Sequence, residues 1–257
     1  MTEPAETAVA ERLRAAGCVF AEDEAQLLVS TAHDDHELES MVQRRVEGLP
    51  LEHVLGWVEF CGRRFAIEPG VFVPRPRTEF LVRQAAAIAG PDAVVLDLCC
   101  GSGAVGVALA DAIEAAELHA SDSDPVAVAC ARRNVQHRGE VYQGDLFEPL
   151  PVALRGRVDI LVAIAPYVPT AAIDLLPREA RLHEPLTTLD GGADGLDLLR
   201  RVLAEAHEWL SPSGVFVTEV SEDQVAPLMT LVVENGLVPK AVRDDELDAT
   251  AVIAERN

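Results

Sequence analysis

Two features of the sequence predict an α/β fold, a doubly wound and largely parallel sheet preceded by a small helical domain. From residue 93 onward, short apolar runs alternate with segments of helical period, which is the pattern of successive βαβ units. Before residue 50 apolar residues recur at three- and four-residue steps. Between the two, residues 57–73 alternate like a β-hairpin.

The helical steps run through Val9, Leu13 and Ala16, then Leu27, Leu28 and Thr31, then Leu38, Met41, Val42 and Val46. Gly17 and Gly48-Leu49-Pro50 punctuate them. In the hairpin "WVEFCGRRFAIEPGVFV", Cys61-Gly62 and Pro69-Gly70 are turn candidates. Thr78, in "PRPRTE", is expected to cap a helix over 79–89. Strands are expected at 93–98, 117–121, 140–143, 158–164, 214–220, 238–243 and 249–254, with helices at 103–113, 124–135, 195–210 and 222–235. The chain thus divides into a helical domain (1–50), a hairpin linker (51–76) and the sheet domain (77–257).

With 49% hydrophobic and 25% charged residues, the 257-residue chain has ordinary globular composition. No apolar run reaches the roughly 18–20 residues of a membrane span. The opening "MTEPAETAVAERLRAAG" is acidic and amphipathic without a signal peptide's apolar core, so a cytoplasmic location is expected. Five cysteines lack zinc spacing, and Cys99 and Cys100 are adjacent; reduced thiols and no metal site are expected. A net charge of −22, with Lys240 the only lysine, disfavours DNA or RNA as substrate. Residues 61–90 depart from this trend, with arginines at 63, 64, 75, 77 and 83 against Glu68 and Glu79; local charge balance is the simpler account.

The first turn of the sheet carries the chemistry. In "VVLDLCCGSGAVG" (94–106), Gly101, Gly103 and Gly106 satisfy G-x-G-x-x-G, and Asp122 lies 21 residues beyond Gly101. Read literally, this is a dinucleotide site. Asp97 argues against it, because a pyrophosphate gains nothing from a carboxylate at the end of the first strand. S-adenosylmethionine, which has an ammonium, a sulfonium and a ribose but no phosphate, suits that carboxylate. Asp122 would then accept from the ribose hydroxyls, and Cys99, Cys100, Gly101, Ser102 and Gly103 would shape the turn around the cofactor. In "GDLF" (144–147), Asp145 is placed to accept from the adenine amino group, with Leu146 or Phe147 over its face.

These blocks resemble the protein-(glutamine-N5) methyltransferases that modify peptide-chain release factors. The likeness also covers "LEHVLGWVEFCGRRFAIEPGVFVPRPRTEFLV" (51–82), "GDLFEPL", "VDILVAIAPYVPT" (158–170) and "HEPLTTLDGGADGLDLLRRVLAEA" (183–206). It implies a class I, seven-stranded, Rossmann-like methyltransferase domain, with an N-terminal helical domain that recognises a protein substrate. It also implies that the family's Asn-Pro-Pro-Tyr falls on Ile164-Ala165-Pro166-Tyr167. In the family, the Asn side chain and the following carbonyl hold the substrate amide, and the Tyr ring packs near it. Ile164, Ala165, Pro166 and Tyr167 are therefore the expected substrate-binding residues, the last three also the catalytic ones, with Ile164 touching cofactor as well.

The chain departs from that pattern at four places. Cys99 replaces the first glycine of the family's first turn, and Arg77 stands where relatives usually have Glu. The C-terminal Asp-x-x-Gly-x-x-Arg pattern is missing from residues 247–257. Above all, Ile164 has no acceptor to offer an amide. A methyltransferase acting on a release-factor-like protein is the leading expectation. A small-molecule N- or O-methyltransferase and a weakly active S-adenosylmethionine-binding partner protein stay open, while an NAD-dependent oxidoreductase is disfavoured by Asp97.

Overall fold

The computed structural model describes residues 3–256; Met1, Thr2 and Asn257, at the ends of the expected ranges 1–50 and 77–257, lie outside them. Helices α1 (Glu3–Ala15), α2 (Ala21–Thr31) and α3 (Asp35–Val46) open the chain, followed by the short α4 (Leu51–Leu55). Their apolar stripes meet in a core of their own, where Leu13, Leu28 and Val42 are fully buried. Asp34 caps α3 by accepting from the Glu37 N–H at 2.8 Å. Five residues span too little to show a helical period, so α4 escapes the sequence reading. Arg45 is buried in this bundle and forks onto both Glu24 oxygens, at 2.6 and 3.0 Å.

Strands β1 (Trp57–Phe60) and β2 (Arg63–Ala66) pair antiparallel about Cys61 and Gly62, both at positive φ. The next helix, α5, runs Thr78–Ile88. Here one expectation is corrected. No side chain caps α5; the Thr78 hydroxyl instead donates to Glu219 Oε2 at 2.8 Å, because that buried carboxylate is the stronger acceptor.

The seven-stranded sheet comprises β3 (Val94–Leu98), β4 (Glu117–Asp122), β5 (Gly139–Gln143), β6 (Val158–Ala163), β7 (Leu210–Glu219), β8 (Leu237–Asp244) and β9 (Ala249–Arg256). Its order is β5-β4-β3-β6-β7-β9-β8, with β9 antiparallel to both neighbours. All seven expected strands are present, though β7 starts earlier than expected and β6 ends at Ala163, before Ile164. Helices α6 (Ala104–Ala112), α7 (Pro125–Val135), α8 (Arg178–His183), α9 (Asp197–Trp209) and α10 (Glu222–Glu234) complete the chain.

The two-residue period of β3 sends Val95 into the core beneath α5 and α6, and Val94, Leu96 and Leu98 into the core beneath α9 and α10. Asp97 shares the face of Val95 and therefore meets α6. The chain runs β3, β4, β5 outward and then returns with β6 on the other side of β3, so the strand order reverses at β3. Such a switch point opens a crevice past the carboxyl ends of the strands. Register puts Leu98 level with Ser121 and with Ala163, so residues 99, 122 and 164 emerge side by side.

The arginines of 61–90 are balanced, but over long range. Arg63, Arg75, Arg77 and Arg83 pair with Asp111, Glu184, Glu219 and Asp244, while Arg64 lies over the Trp57 ring at 3.9 Å. Among the described residues no helix is long and apolar enough to cross a membrane.

Candidate active site

A cavity of about 760 Å³ occupies the crevice. Asp97, Cys99, Cys100, Gly101, Ser102, Asp122, Asp145, Leu146, Ile164, Ala165, Pro166 and Tyr167, dispersed over 71 positions of sequence, all stand in its wall. Gly103, Gly106 and Phe147, also singled out from the sequence, do not. Gly103 turns the chain at φ +75 beneath the wall, where a Cβ would meet Ala131 and Val135 at 3.3 Å. Phe147 stacks on Trp209 in the core, centroids 5.3 Å apart, leaving Leu146 alone to face the cavity.

One end of the cavity is built from the glycine-rich turn. Cys99, Gly101 and Gly103 all have φ near +50 to +75, so the backbone curls left-handed three times in five residues. Cys99 adopts this conformation although it has a Cβ, at a cost of about 1–2 kcal/mol. The Gly101 N–H donates to Asp122 Oδ2 at 2.9 Å and the Asp124 N–H to Asp122 Oδ1 at 2.9 Å, which fixes that carboxylate at the rim. Burial raises the Asp122 carboxyl, and the two N–H groups oppose the rise.

Asp97 is 1% exposed and accepts from the Gly106 N–H at 2.8 Å. Gly106 is what permits this approach, since a Cβ there would stand 2.9 Å from Asp97 Oδ2. Burial pushes the Asp97 carboxyl up to about 7; the Gly106 N–H opposes this and the nearby Asp122 charge reinforces it. Burial likewise pushes the Cys99 and Cys100 thiols up, so both stay protonated and unreactive. Asp145 is engaged by Arg201 at 2.5 Å on the outer rim. Among the described residues no group of three or more His, Cys, Asp or Glu side chains could hold a metal ion.

The other end is assembled from distant segments. Ile164 packs against the core beneath α5 and α6, and Ala165 is buried with its carbonyl free of hydrogen bonds among the described residues. The backbone of 166–168 is clamped by the loop 189–195: the Val168 N–H donates to Leu189 O at 3.0 Å and the Gly191 N–H to Val168 O at 2.9 Å. Gly191 and Gly195 have no room for a side chain there, as a Cβ would lie 2.6 Å from Pro166 O and 2.2 Å from Tyr167 O. That close approach is the physical reason for glycine in "DGGADG".

Tyr167 points its hydroxyl at Arg77 and Glu219. Glu219, buried at the end of β7, accepts from Arg77 Nε at 2.9 Å with one oxygen and from Thr78 with the other. Burial, then the Glu219 charge, raises the Tyr167 phenol above its ordinary value while Arg77 opposes, so the ring carries a neutral hydroxyl. Arg75, also in the wall, pairs with the buried Glu184.

Glu184 and Glu219 are not singled out in the sequence reading, and Arg75 and Arg77 enter it only among the arginines of 61–90, Arg77 also as a departure from a pattern. Glu219 had a usable signal: it ends the apolar strand "GVFVTE", much as Asp97 stands one residue before the end of "VVLDL". Glu184 had none beyond its place in a family block, because its partner Arg75 lies 109 residues away.

Residues 63–174 match the family model "Methyltransferase small domain". The chain is 38% identical over 199 residues to the release factor glutamine methyltransferase of Geobacter sulfurreducens, covering 76% of this chain and 69% of that one. It is 39% identical over 194 residues to the ribosomal protein uL3 glutamine methyltransferase of Bordetella pertussis, covering 72% and 64%. Among solved structures, a methyltransferase from Pyrococcus furiosus superposes with a TM-score of 0.58 at 15% identity, covering 75% of this chain and 88% of that one.

Proposed function

The chain belongs to the family of release factor glutamine methyltransferases, and from that membership we propose that it methylates the side-chain amide nitrogen of a glutamine in a protein substrate of release-factor type. It is an S-adenosylmethionine-dependent methyltransferase. The observation that carries the substrate reading is a single cavity with the carboxylate-rimmed turn at one end and Ile164-Ala165-Pro166-Tyr167 at the other.

The donor set fits the cofactor. Carboxylates Asp97, Asp122 and Asp145 surround the turn, which suits an ammonium and hydroxyls and would repel a pyrophosphate. Bound S-adenosylmethionine supplies a methyl group on a positively charged sulfur. Asp97 would hold the ammonium, Asp122 the ribose hydroxyls, and Leu146 the adenine face. At the far end, the Ala165 carbonyl accepts an N–H of the substrate amide and directs the nitrogen lone pair along the cavity. Tyr167, held by Arg77 and Glu219, forms the side wall that keeps the amide planar against it.

The helices of residues 1–50 serve as the docking domain in this reading. They carry eleven acidic residues against four arginines, which suits a basic partner surface. A second reading, a small amine as acceptor, draws support from Ile164, which gives no side-chain acceptor for an amide. Methyl transfer from labelled cofactor to full-length release factor, with the modified residue located by mass spectrometry, decides between them. Label on one glutamine is the expected result; label only on small molecules from a cell extract would overturn the protein-substrate reading.

A further inference from the structure

The wall of the cavity includes Glu184, one of whose carboxylate oxygens is buried with no donor to accept from among the described residues. The Glu184 side chain is 3% exposed, Arg75 engages its Oε1, and its Oε2 has no hydrogen-bond partner among the described residues. Buried polar atoms without partners are rare and costly, more so for a charged group. Glu184 directly follows α8 on the segment that continues into the loop clamping residues 166–168, so its position is tied to the acceptor end. It stands in the wall together with Ile164, Ala165 and Tyr167.

We infer that Glu184 Oε2 accepts an N–H of the substrate carboxamide, supplying the side-chain acceptor that Ile164 lacks. This rests on the glutamine reading above and narrows it. A primary carboxamide presents two N–H groups on one nitrogen, and the site then offers two acceptors, the Ala165 carbonyl and Glu184. A hydroxyl substrate has a single O–H and would leave one acceptor unmatched. An amine fits worse for a different reason. A neighbouring carboxylate favours its protonated form, which has no lone pair to attack the methyl group. For an amide the same negative charge is an advantage, because it orients the N–H and stabilises the positive charge that develops on nitrogen as the methyl group arrives.

Glu184→Gln tests this with the shape preserved. Its one carbonyl oxygen can keep the Arg75 contact, which turns the NH₂ group toward the substrate and sets donor against donor. For full-length release factor, kcat/KM should fall about 10- to 100-fold, the range for losing a hydrogen bond to a charged group. Affinity for the demethylated cofactor, S-adenosylhomocysteine, measured by calorimetry should change less than about twofold, and Tm should hold. Equal turnover by wild type and Glu184→Gln would overturn the inference and leave the glutamine reading standing. Loss of cofactor affinity and Tm together would also overturn it, by showing that Glu184 only supports the fold. Calorimetry with a peptide carrying the release factor's glutamine, on protein saturated with S-adenosylhomocysteine, covers the remaining case. Wild type that neither binds this peptide nor methylates the full protein would end the glutamine reading, and the role of Glu184 with it.

Discussion

The cofactor end of the cavity draws its wall from Asp97, residues 99–102, 104–105 and 121–124, and Asp145-Leu146, all at neighbouring strand ends, whereas the acceptor end gathers residues from 75–78, 164–168 and 176–189, braced by Glu219, from across the chain. At the first, backbone N–H groups of Gly101, Asp124 and Gly106 hold two short carboxylates in place. At the second, long side chains hold one another: Arg77, Tyr167, Thr78 and Glu219 form one group, Arg75 and Glu184 another. A site made of backbone is written in consecutive residues. A site made of side-chain partners is written in pairs that only the fold brings together, and there a family pattern can change residue by residue.

The largest effect should come from restoring the missing acceptor. Ile164→Asn places a carboxamide beside the Ala165 carbonyl. In the Glu184→Gln background, where one amide N–H has lost its acceptor, it should win back much of the roughly 10- to 100-fold loss on release factor, and with Glu184 intact it should gain little. The measurement is methylation of full-length release factor at saturating cofactor. Robust turnover by the Ile164 form with no gain from Asn would show that the backbone carbonyl and the surrounding side chains already suffice. That result would make the acceptor end as self-contained as the cofactor end.

Asp122→Ala attacks the other end. It removes the acceptor proposed for the ribose and also leaves the Gly101 N–H without its partner. S-adenosylmethionine binding should weaken by about 1.5–3 kcal/mol, with release-factor affinity unchanged. Unaltered affinity for the cofactor would move the ribose elsewhere in the cavity.

How much was legible follows the same division. The strand-turn-helix at 94–106 is announced by an apolar run, an Asp and three glycines, and the structure brings Asp97, Cys99, Cys100, Gly101 and Ser102 of that stretch to the cavity wall. Period-two and period-3.6 patterning also sufficed for every strand of the large sheet. Thr78 shows the limit: local grammar makes it a helix cap, but a carboxylate 141 residues away takes its hydroxyl. Arg77 shows it again, since its charge makes sense only once Glu219 and Tyr167 are seen beside it.

Glu219→Leu probes that interdependence. Arg77 is 41% exposed, so water softens the loss of its partner. The buried Thr78 hydroxyl has no such recourse, and unfolding free energy should drop by about 1–3 kcal/mol in a denaturant titration. At the cofactor end Asp122→Ala should cost less stability than this. The reverse ranking would mean that the acceptor end is the less cross-braced of the two.

The smallest effect is also the most specific to the cofactor end, and it is a pH dependence. An unfolded Asp titrates near about 3.9, whereas burial holds native Asp97 at about 7. Between those values the native state binds more protons than the unfolded state. The Asp97 contribution to stability in the cofactor-free protein therefore falls as pH rises from about 4 to about 7, and is flat above. A bound ammonium favours the carboxylate and lowers this pKa, so binding below about pH 7 must release a proton. Cofactor affinity should consequently weaken as pH drops beneath 7, by at most about 1.4 kcal/mol per pH unit. Calorimetry near pH 6 in two buffers of different ionisation enthalpy reads the proton directly. Asp97→Asn should abolish the release and flatten the affinity profile, at a lower affinity throughout. A wild-type profile already flat between pH 6 and 8, with no proton released, would place the ammonium away from Asp97 and leave Asp97 to the Gly106 N–H alone.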